Sequence, residues 1–176
     1  MSSDTRYLYN FYYFRKAFKH QNRGRRLDAI MELIKSCNPK SVLDVGCGVG
    51  NLVKRMRDIG IAAYGTDFSP DLRSYWGDNP HLQVAEAKAQ PFPDKFFELV
   101  ISTDVMEHIH EEDIPAVVEE MKRVGKEVLV LVAVEKKLNQ HQLLYHVTNK
   151  PMEWWVEHLP GVRVLNSREY ENVRRK

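Results

Sequence analysis

The chain has 176 residues, of which 43% are hydrophobic and 28% charged, and these values predict a single soluble globular domain. No apolar run approaches the ~20 residues of a membrane-spanning helix, and the N-terminus lacks the apolar segment of a secretory signal. We therefore expect a cytoplasmic protein that does not contact a membrane.

Charge is distributed unevenly along the chain, although the net charge is only +2. Residues 1–26 carry seven Lys/Arg and one acidic residue, Asp4. This basic segment suits a solvated helix face, which is the favoured interpretation, or contact with an anionic partner such as nucleic acid. The two cysteines, Cys37 and Cys47, are too few for a disulfide framework and are expected to be reduced thiols. No Cys or His spacing typical of a metal site is evident, so the sequence predicts no bound metal.

The N-terminal part of the chain is predicted to form two helices. Aromatic residues recur at helical spacing over residues 6–20, at Tyr7, Phe11, Phe14 and Phe18. The second helix is predicted over residues 25–36 and is stopped before Pro39. Residues 1–38 are thus expected to be a helical cap on a core of residues 39–176.

A strand, a glycine-rich turn and a helix follow one another between residues 41 and 59. The turn contains three glycines, Gly46, Gly48 and Gly50. Glycine allows positive φ and close approach to a ligand, which in an open α/β sheet lies beyond the carboxyl end of the strand. A dinucleotide fingerprint would have another glycine at Asn51, and a phosphate loop would end in Gly-Lys-Ser/Thr. Asp44 at the mouth of the turn would repel a pyrophosphate, and it favours a ligand that carries an ammonium or sulfonium group.

Asp67 stands at the end of the next predicted strand, residues 61–66. A carboxylate in this place binds ribose hydroxyls in nucleotide-binding sheets, because it can accept two hydrogen bonds at once. Alternatively, Asp67 or Ser69 could cap a helix that begins near Pro70. Ribose binding is the favoured interpretation.

The rest of the chain continues the alternation of strands and helices. Further strands are predicted over residues 82–85, 96–102 and 126–134. A helix with Pro115 in its first turn precedes the last of these strands, which is almost continuously apolar, as expected for a strand covered on both faces. The polar loop 135–149 follows. Beyond it the pattern predicts a helix over residues 150–159 and short strands over residues 161–165 and 169–173.

Four segments resemble, in this order, the motifs of the class I S-adenosylmethionine-dependent methyltransferases. They read D-V-G-C-G-V-G at 44–50, G-T-D-F-S-P at 65–70, E-A-K-A-Q-P-F-P-D at 86–94 and T-D-V-M-E-H-I at 103–109. The resemblance covers residues 40–135. It implies a three-layer α/β sandwich with a mostly parallel, doubly wound sheet of seven or slightly fewer strands and helices on both faces. It also implies an N-terminal helix over the ligand pocket and a closing antiparallel hairpin, here in a short version.

The same resemblance implies S-adenosylmethionine as the cofactor and S-adenosylhomocysteine as the product. The residues expected to contact the cofactor are Asp44, Gly46, Cys47, Gly48, Asp67, Phe68, Glu86, Ala87 and Thr103. Within the third motif two residues depart from the family pattern, since Glu86 replaces an aspartate and Gln90 replaces a leucine. Glu86 is expected to accept a hydrogen bond from the adenine amino group through its longer side chain.

The expected reaction transfers the methyl group to a hydroxyl group of a small polar acceptor. A hydroxyl acceptor must lose a proton, which a histidine can accept near neutral pH. The candidate bases are His146, His141 and His108, with His146 preferred over His141, and Glu107 is a further candidate for contact with the acceptor.

Two alternative functions remain open from the sequence. One is a domain that binds S-adenosylmethionine or a partner without transferring a methyl group. The other is a nucleic-acid methyltransferase that uses the basic N-terminus. Against the second, residues 102–105 lack the N/D-P-P-Y/F tetrad of many amino-methylating nucleic-acid enzymes.

Overall fold

The computed structural model describes residues 24–134 and 145–167, and these form an α/β unit. Strands and helices alternate along the chain. The helices are α1 (Gly24–Cys37), α2 (Asn51–Asp58), α3 (Arg73–Trp76), α4 (Ile114–Val124) and α5 (Met152–His158). The strands are β1 (Ser41–Val45), β2 (Ala62–Asp67), β3 (Leu82–Val84), β4 (Phe97–Thr103), β5 (Gly125–Val132) and β6 (Arg163–Asn166). Three predictions lie outside the described residues, namely the aromatic helix over 6–20, His141 and the strand over 169–173.

Within the described residues, the six strands form one sheet with the order β3-β2-β1-β4-β5-β6. Each neighbouring pair is parallel. Strand order reverses between β1 and β4, so the carboxyl ends of these two strands flank a crevice, which is where ligands bind in open α/β sheets. The predicted fold class is confirmed, with a slightly truncated sheet.

The last described strand, β6, lies directly beside β5 at the edge of the described sheet. Strand β6 pairs with β5 in parallel, with Leu129 opposite Arg163 and Val132 opposite Asn166. The physical reason is the connection: helix α5 lies between the two strands, and a crossover through a helix returns the chain in the same direction. The hairpin expected after this point needs the strand predicted over residues 169–173, which lies outside the described residues, so it stays a prediction.

Hydrophobic residues fill a core on each face of the sheet. Strand β5 shows the pattern most clearly, because Leu129 and Leu131 belong to the core formed with α1 and α2. Val128, Val130 and Val132 belong to the core formed with α4 and α5. Side chains alternate between the faces of a strand, so a strand buried on both sides is apolar at nearly every position.

Short 3-10 helices occur where a single regular helix or a loop was expected. The segment after β2 divides into a 3-10 turn, Pro70–Leu72, and the one-turn helix α3. Another 3-10 turn, Met106–His108, follows β4 and brings its residues to the carboxyl edge of the sheet. No helix among the residues that the structure describes is long and apolar enough to cross a membrane.

Trp155 offers a test of the second core, because its side chain is only 1% exposed. Replacement of a buried tryptophan by alanine removes its contacts and leaves a cavity, so Trp155→Ala is expected to lower the free energy of unfolding by about 3–5 kcal/mol. Urea denaturation followed by circular dichroism measures this change. The neighbouring Val156 is 58% exposed, and Val156→Ala serves as the control with an expected change within about 0.5 kcal/mol. A similar, small effect of both variants would contradict the packing described for α5.

Candidate active site

The glycine turn after β1 is tied to the end of β2. The backbone N–H groups of Gly46 and Cys47 both donate to the carbonyl of Thr66, at 2.7 and 2.9 Å. Gly46 has a φ of 80°, and a Cβ atom on it would lie 2.3 Å from a methyl carbon of Val105. Glycine is therefore required at this position both by the left-handed backbone and by the close approach of the loop that follows β4.

Asp67 holds the glycine turn from the neighbouring strand. One carboxylate oxygen accepts the N–H of Gly48 at 3.0 Å, and the other accepts the N–H of Ser69 at 3.1 Å. Burial raises the pKa of Asp67, while the hydrogen bonds from Ser69, Gly48 and Phe68 oppose that rise. A carboxylate offers about four lone-pair sites, so three backbone bonds leave Asp67 some capacity to accept a ribose hydroxyl, and its ribose role stays a prediction.

Trp76 is a residue of this site that sequence analysis missed. Its indole N–H donates to the carbonyl of Gly48 at 2.9 Å, and its side chain is buried. Gly48 is thus held through its N–H by Asp67 and through its carbonyl by Trp76. A tryptophan on a short helical segment carries no local signal of such a contact, because the indole crosses to a turn 28 residues earlier in the chain.

Asp44 is a buried carboxylate at the end of β1, only 2% exposed. Its Oδ1 atom has no hydrogen-bond partner among the described residues. Burial, followed by the nearby charge of Asp67, raises the pKa of Asp44 to about 7. A positively charged ligand next to these two carboxylates would relieve both the desolvation and the repulsion.

Cys47 lies inside the turn as a buried free thiol. Burial and the charges of Asp44 and Asp67 raise its pKa well above the ordinary value. Such a thiol stays protonated and unreactive at neutral pH, which favours a packing role. Cys37 is also a free thiol and is partly exposed.

The other predicted cofactor residues lie at the same edge of the sheet. Phe68 follows Asp67 and is partly buried, Thr103 is the last residue of β4, and Ala87 is partly buried beyond β3. The side chain of Glu86 is exposed. The end of β3 is fastened to β2 through the Ala85 N–H, which donates to the carbonyl of Asp67 at 2.9 Å.

The departure from the family pattern at Gln90 has a structural explanation. Its side chain is 4% exposed and accepts the hydroxyl hydrogen of Thr66 at 2.9 Å. The amide nitrogen of the same side chain donates to the carbonyl of Glu86 at 2.8 Å. Gln90 therefore links the Glu86 turn to strand β2, and a leucine at this position could not form either bond.

The opposite side of the crevice is formed by the 3-10 turn after β4. Glu107 is 1% exposed, and its carboxylate accepts the N–H of Ala133 at 3.3 Å. Its backbone carbonyl accepts the N–H of Thr148 at 3.1 Å, and the Thr148 hydroxyl donates to the carbonyl of Ile109 at 2.7 Å. These bonds fasten the segment 145–148 to the 3-10 turn.

Two of the three predicted histidine bases come together here. The rings of His108 and His146 meet edge to face, with centroids 4.8 Å apart. Nδ1 of His108 lies 2.9 Å from the carbonyl of Tyr145, and burial lowers the pKa of His108 to about 4. A histidine with so low a pKa is neutral at pH 7 and is a weaker base than an ordinary histidine. His141 lies outside the described residues.

Glu107, His108 and His146 could together hold a metal ion. One carboxylate oxygen of Glu107 and one ring nitrogen of each histidine all lie within 4.8 Å of one another. The sequence shows no spacing typical of metal ligands here, because His146 is 38 residues from His108 in the chain. The sequence showed only two separate features. Glu107 and His108 follow the strand predicted over residues 96–102, and His146 lies in the polar loop 135–149 after the strand predicted over residues 126–134.

Helix α1 also reaches the crevice. Arg26 forms an ion pair with Asp104, which lies between β4 and the 3-10 turn. Asp104 has a φ of 53°, and its N–H donates to the carbonyl of Leu131. The ion pair connects the described part of the predicted N-terminal cap to the loop that separates the two halves of the site.

The fold and the site together define the class. A parallel α/β sheet, a glycine turn at its switch point and carboxylates at the ends of β1 and β2 form a nucleotide-type site suited to a ligand with positive charge. Comparison with known sequences agrees, since the profile of the family described as "Methyltransferase domain" matches residues 18–174. The chain belongs to this family. The class predicted from the four motifs is confirmed, and with it, at the level of the family, S-adenosylmethionine as the cofactor.

Individual relatives show what the chain is similar to. A probable tocopherol O-methyltransferase of Oryza sativa subsp. japonica is 34% identical over 113 residues, which are 57% of this chain and 31% of that protein. An ajmaline N-methyltransferase of Rauvolfia serpentina is 29% identical over 114 residues, which are 57% of this chain and 38% of that protein. The matched region thus spans about a third of the length of these curated relatives.

Solved structures support the fold. A methyltransferase from Archaeoglobus fulgidus that depends on S-adenosylmethionine (SAM) superposes with a TM-score of 0.62 and 19% identity. The superposed region covers 85% of this chain and 74% of that one. A similarity at this level of identity establishes the shared architecture.

The raised pKa of Asp44 predicts a pH-dependent stability that an Asp44→Asn variant lacks. Because the pKa in the folded protein is about 7 and the ordinary value is 3.8, the folded protein retains a proton that the unfolded chain releases between these values. The stability from this proton is complete below about pH 4, decreases as the pH rises and is lost above about pH 7. The slope is at most about 1.4 kcal/mol per pH unit.

Urea denaturation of the wild-type protein and Asp44→Asn between about pH 5 and pH 8 tests this expectation, because shared titrating groups cancel in the difference. The wild-type protein should lose stability relative to the variant up to about pH 7, after which the difference should be constant. A difference independent of pH would show that Asp44 is ionised throughout.

Proposed function

We propose that this protein transfers a methyl group from S-adenosylmethionine to a hydroxyl group of a small polar acceptor. The observation that carries the donor half of this proposal is the pair of buried carboxylates at the glycine turn. Burial opposes the charge of both, the charge of Asp67 further disfavours ionisation of Asp44, and a cationic ligand would lower this cost. A pyrophosphate cofactor would add negative charge at the same place.

The residues of the turn fit this donor in distinct ways. Asp67 accepts ribose hydroxyls while its bonds to Gly48 and Ser69 keep the carboxylate oriented. Asp44, whose Oδ1 is unsatisfied among the described residues, faces the positively charged part of the donor. When bound, S-adenosylmethionine supplies a methyl group on a sulfonium sulfur. The protein contributes by holding donor and acceptor in a reactive geometry, which is the main source of rate in such transfers.

The choice of a hydroxyl acceptor rests on the polar groups on the far side of the crevice. Glu107, His108 and His146 are suited to bind an acceptor hydroxyl. The relatives include enzymes named for O-methylation and for N-methylation, so the hydroxyl is inferred from these side chains. We also propose a single domain, with residues 1–38 as a cap over residues 39–176. Its cytoplasmic location stays a prediction.

Calorimetric titration with S-adenosylmethionine, S-adenosylhomocysteine and NAD tests the donor site first. We expect S-adenosylmethionine and S-adenosylhomocysteine to bind and NAD not to bind, because the carboxylates disfavour the pyrophosphate of NAD. Binding of NAD alone would overturn the proposal. Binding of S-adenosylmethionine without turnover in a screen of hydroxylated acceptors would favour the alternative of a non-catalytic binding domain.

Asp67→Ala is expected to weaken S-adenosylmethionine binding by about 1.5–3 kcal/mol, or roughly 10- to 150-fold, because charged hydrogen bonds to the ribose are lost. Asp58→Ala is the matched control, since Asp58 is an exposed carboxylate that pairs with Lys54 on α2. Thermal melting of both variants shows whether the fold persists. Unchanged donor affinity in a folded Asp67→Ala protein would remove Asp67 from the ribose role.

A further inference from the structure

We propose that Glu107, His108 and His146 bind a divalent transition-metal cation on the acceptor side of the crevice. The three side chains come from two parts of the chain, the 3-10 turn after β4 and the segment 145–148. Binding of the cation does not depend on the proposed function. The role of the cation in the reaction does rest on the proposed methyl transfer.

The geometry of the cluster suits one cation. The ligand atoms of the three residues lie within 4.8 Å of one another. With metal–ligand bonds of about 2.1 Å, ligands around a tetrahedral or octahedral ion are roughly 3.0–3.4 Å apart. Rotation of the three side chains that moves each ligand atom by about 1 Å or more would bring the atoms to this spacing. The backbone of the three residues need not move.

The hydrogen bonds behind the cluster orient its members as ligands. The carbonyl of Tyr145 can only accept a hydrogen bond, so the Nδ1 of His108 carries the proton in that contact and Nε2 carries the lone pair. The Ala133 N–H donates to one carboxylate oxygen of Glu107. Metal-binding histidines typically donate their other ring N–H to a backbone carbonyl or carboxylate, which sets the tautomer and the ring orientation.

His146 is held in place by its neighbours in the chain. Thr148, two residues later, is 2% exposed and bonds to both Glu107 and Ile109 through backbone and side chain. Tyr145, one residue earlier, bonds to His108. Bonds on both sides of His146 therefore connect its segment to the turn that supplies the other two ligands, and this connection pre-organises the site.

The set of ligands indicates which cation binds. Two imidazoles and one carboxylate favour Mn²⁺, Fe²⁺, Co²⁺ or Zn²⁺ over Mg²⁺ or Ca²⁺, which prefer oxygen ligands alone. A buried carboxylate is also stabilised by a bound cation, and Glu107 is 1% exposed. Three protein ligands leave at least one coordination position for an oxygen atom from water or from an acceptor.

The role of the cation follows from this open position. An acceptor hydroxyl that binds the cation has a lowered pKa and releases its proton to solvent more readily. The cation then performs the task that sequence analysis gave to a histidine base, while His108 and His146 act as its ligands. The acceptor class is accordingly a hydroxyl compound whose oxygen can bind a transition metal.

Metal binding is measured on the 176-residue chain after treatment with EDTA and dialysis. Co²⁺ is the probe, because its visible absorption changes when it leaves water for a protein site containing imidazole. One equivalent of Co²⁺ per chain is expected for the wild-type protein, and Zn²⁺ should displace it. Loss of an outer hydrogen-bond partner already weakens metal binding about 10–100-fold, so His146→Ala and Glu107→Gln are expected to weaken it at least as much.

His158→Ala is the matched control, because His158 is an exposed histidine stacked on Trp154 and lies outside the cluster. It should bind Co²⁺ like the wild type. His146→Ala keeps the proposal testable if Glu107→Gln fails to fold, and circular dichroism checks both. No Co²⁺ binding by the wild type, or equal binding by the wild type and His146→Ala, would overturn the site.

Titration with S-adenosylmethionine separates this inference from the proposed function. His146→Ala should bind the donor like the wild type, because the donor site lies at Asp44 and Asp67. A protein that binds Co²⁺ through His146 but does not bind S-adenosylmethionine would retain the metal site and disprove the methyl-transfer function. The reverse result would disprove only the metal site.

Discussion

The site depends on two carboxylates that are buried at the ends of adjacent parallel strands. Burial opposes the charge on each of them, and the charge of Asp67 makes the ionisation of Asp44 still less favourable. Asp67 is compensated by backbone N–H groups, and the same bonds shape the glycine turn around it. Asp44 has no such compensation at its Oδ1 among the described residues. In the folded protein, the buried charges of Asp44 and Asp67 therefore cost free energy, and a cationic ligand would reduce that cost. The stability of the turn is linked in this way to the charge of the ligand.

The two sides of the crevice are built differently. The side proposed to bind the donor consists of backbone groups in a short stretch after β1, held by Thr66, Asp67 and Trp76. The side proposed to bind the acceptor is assembled from the turn after β4 and a segment that follows β5 by more than ten residues. Loops at the carboxyl ends of strands vary within one fold, so this second side is where members of a methyltransferase family come to differ in acceptor.

Most of the fold was predictable because its signals are local. The apolar runs of β1 and β5, the helix with Pro115 in its first turn and the positive-φ glycines each depend on neighbouring residues, and the structure has them within one or two residues of the predicted bounds. The orientation of β6 was not predictable in the same way. A short apolar run carries no information about which strand it joins, and the length of the connection through α5 decided the parallel pairing.

By itself, the sequence determined the strand–turn–helix unit, the places of Asp44 and Asp67 at strand ends and, through four motifs in order, the family. These features depend on backbone conformation and periodicity, which are encoded over a few residues. Only the tertiary structure decided that Trp76 holds Gly48, that Gln90 bonds to Thr66 and that His146 meets Glu107 and His108. Such contacts join residues tens of positions apart, and their existence follows from how loops pack at the edge of the finished sheet.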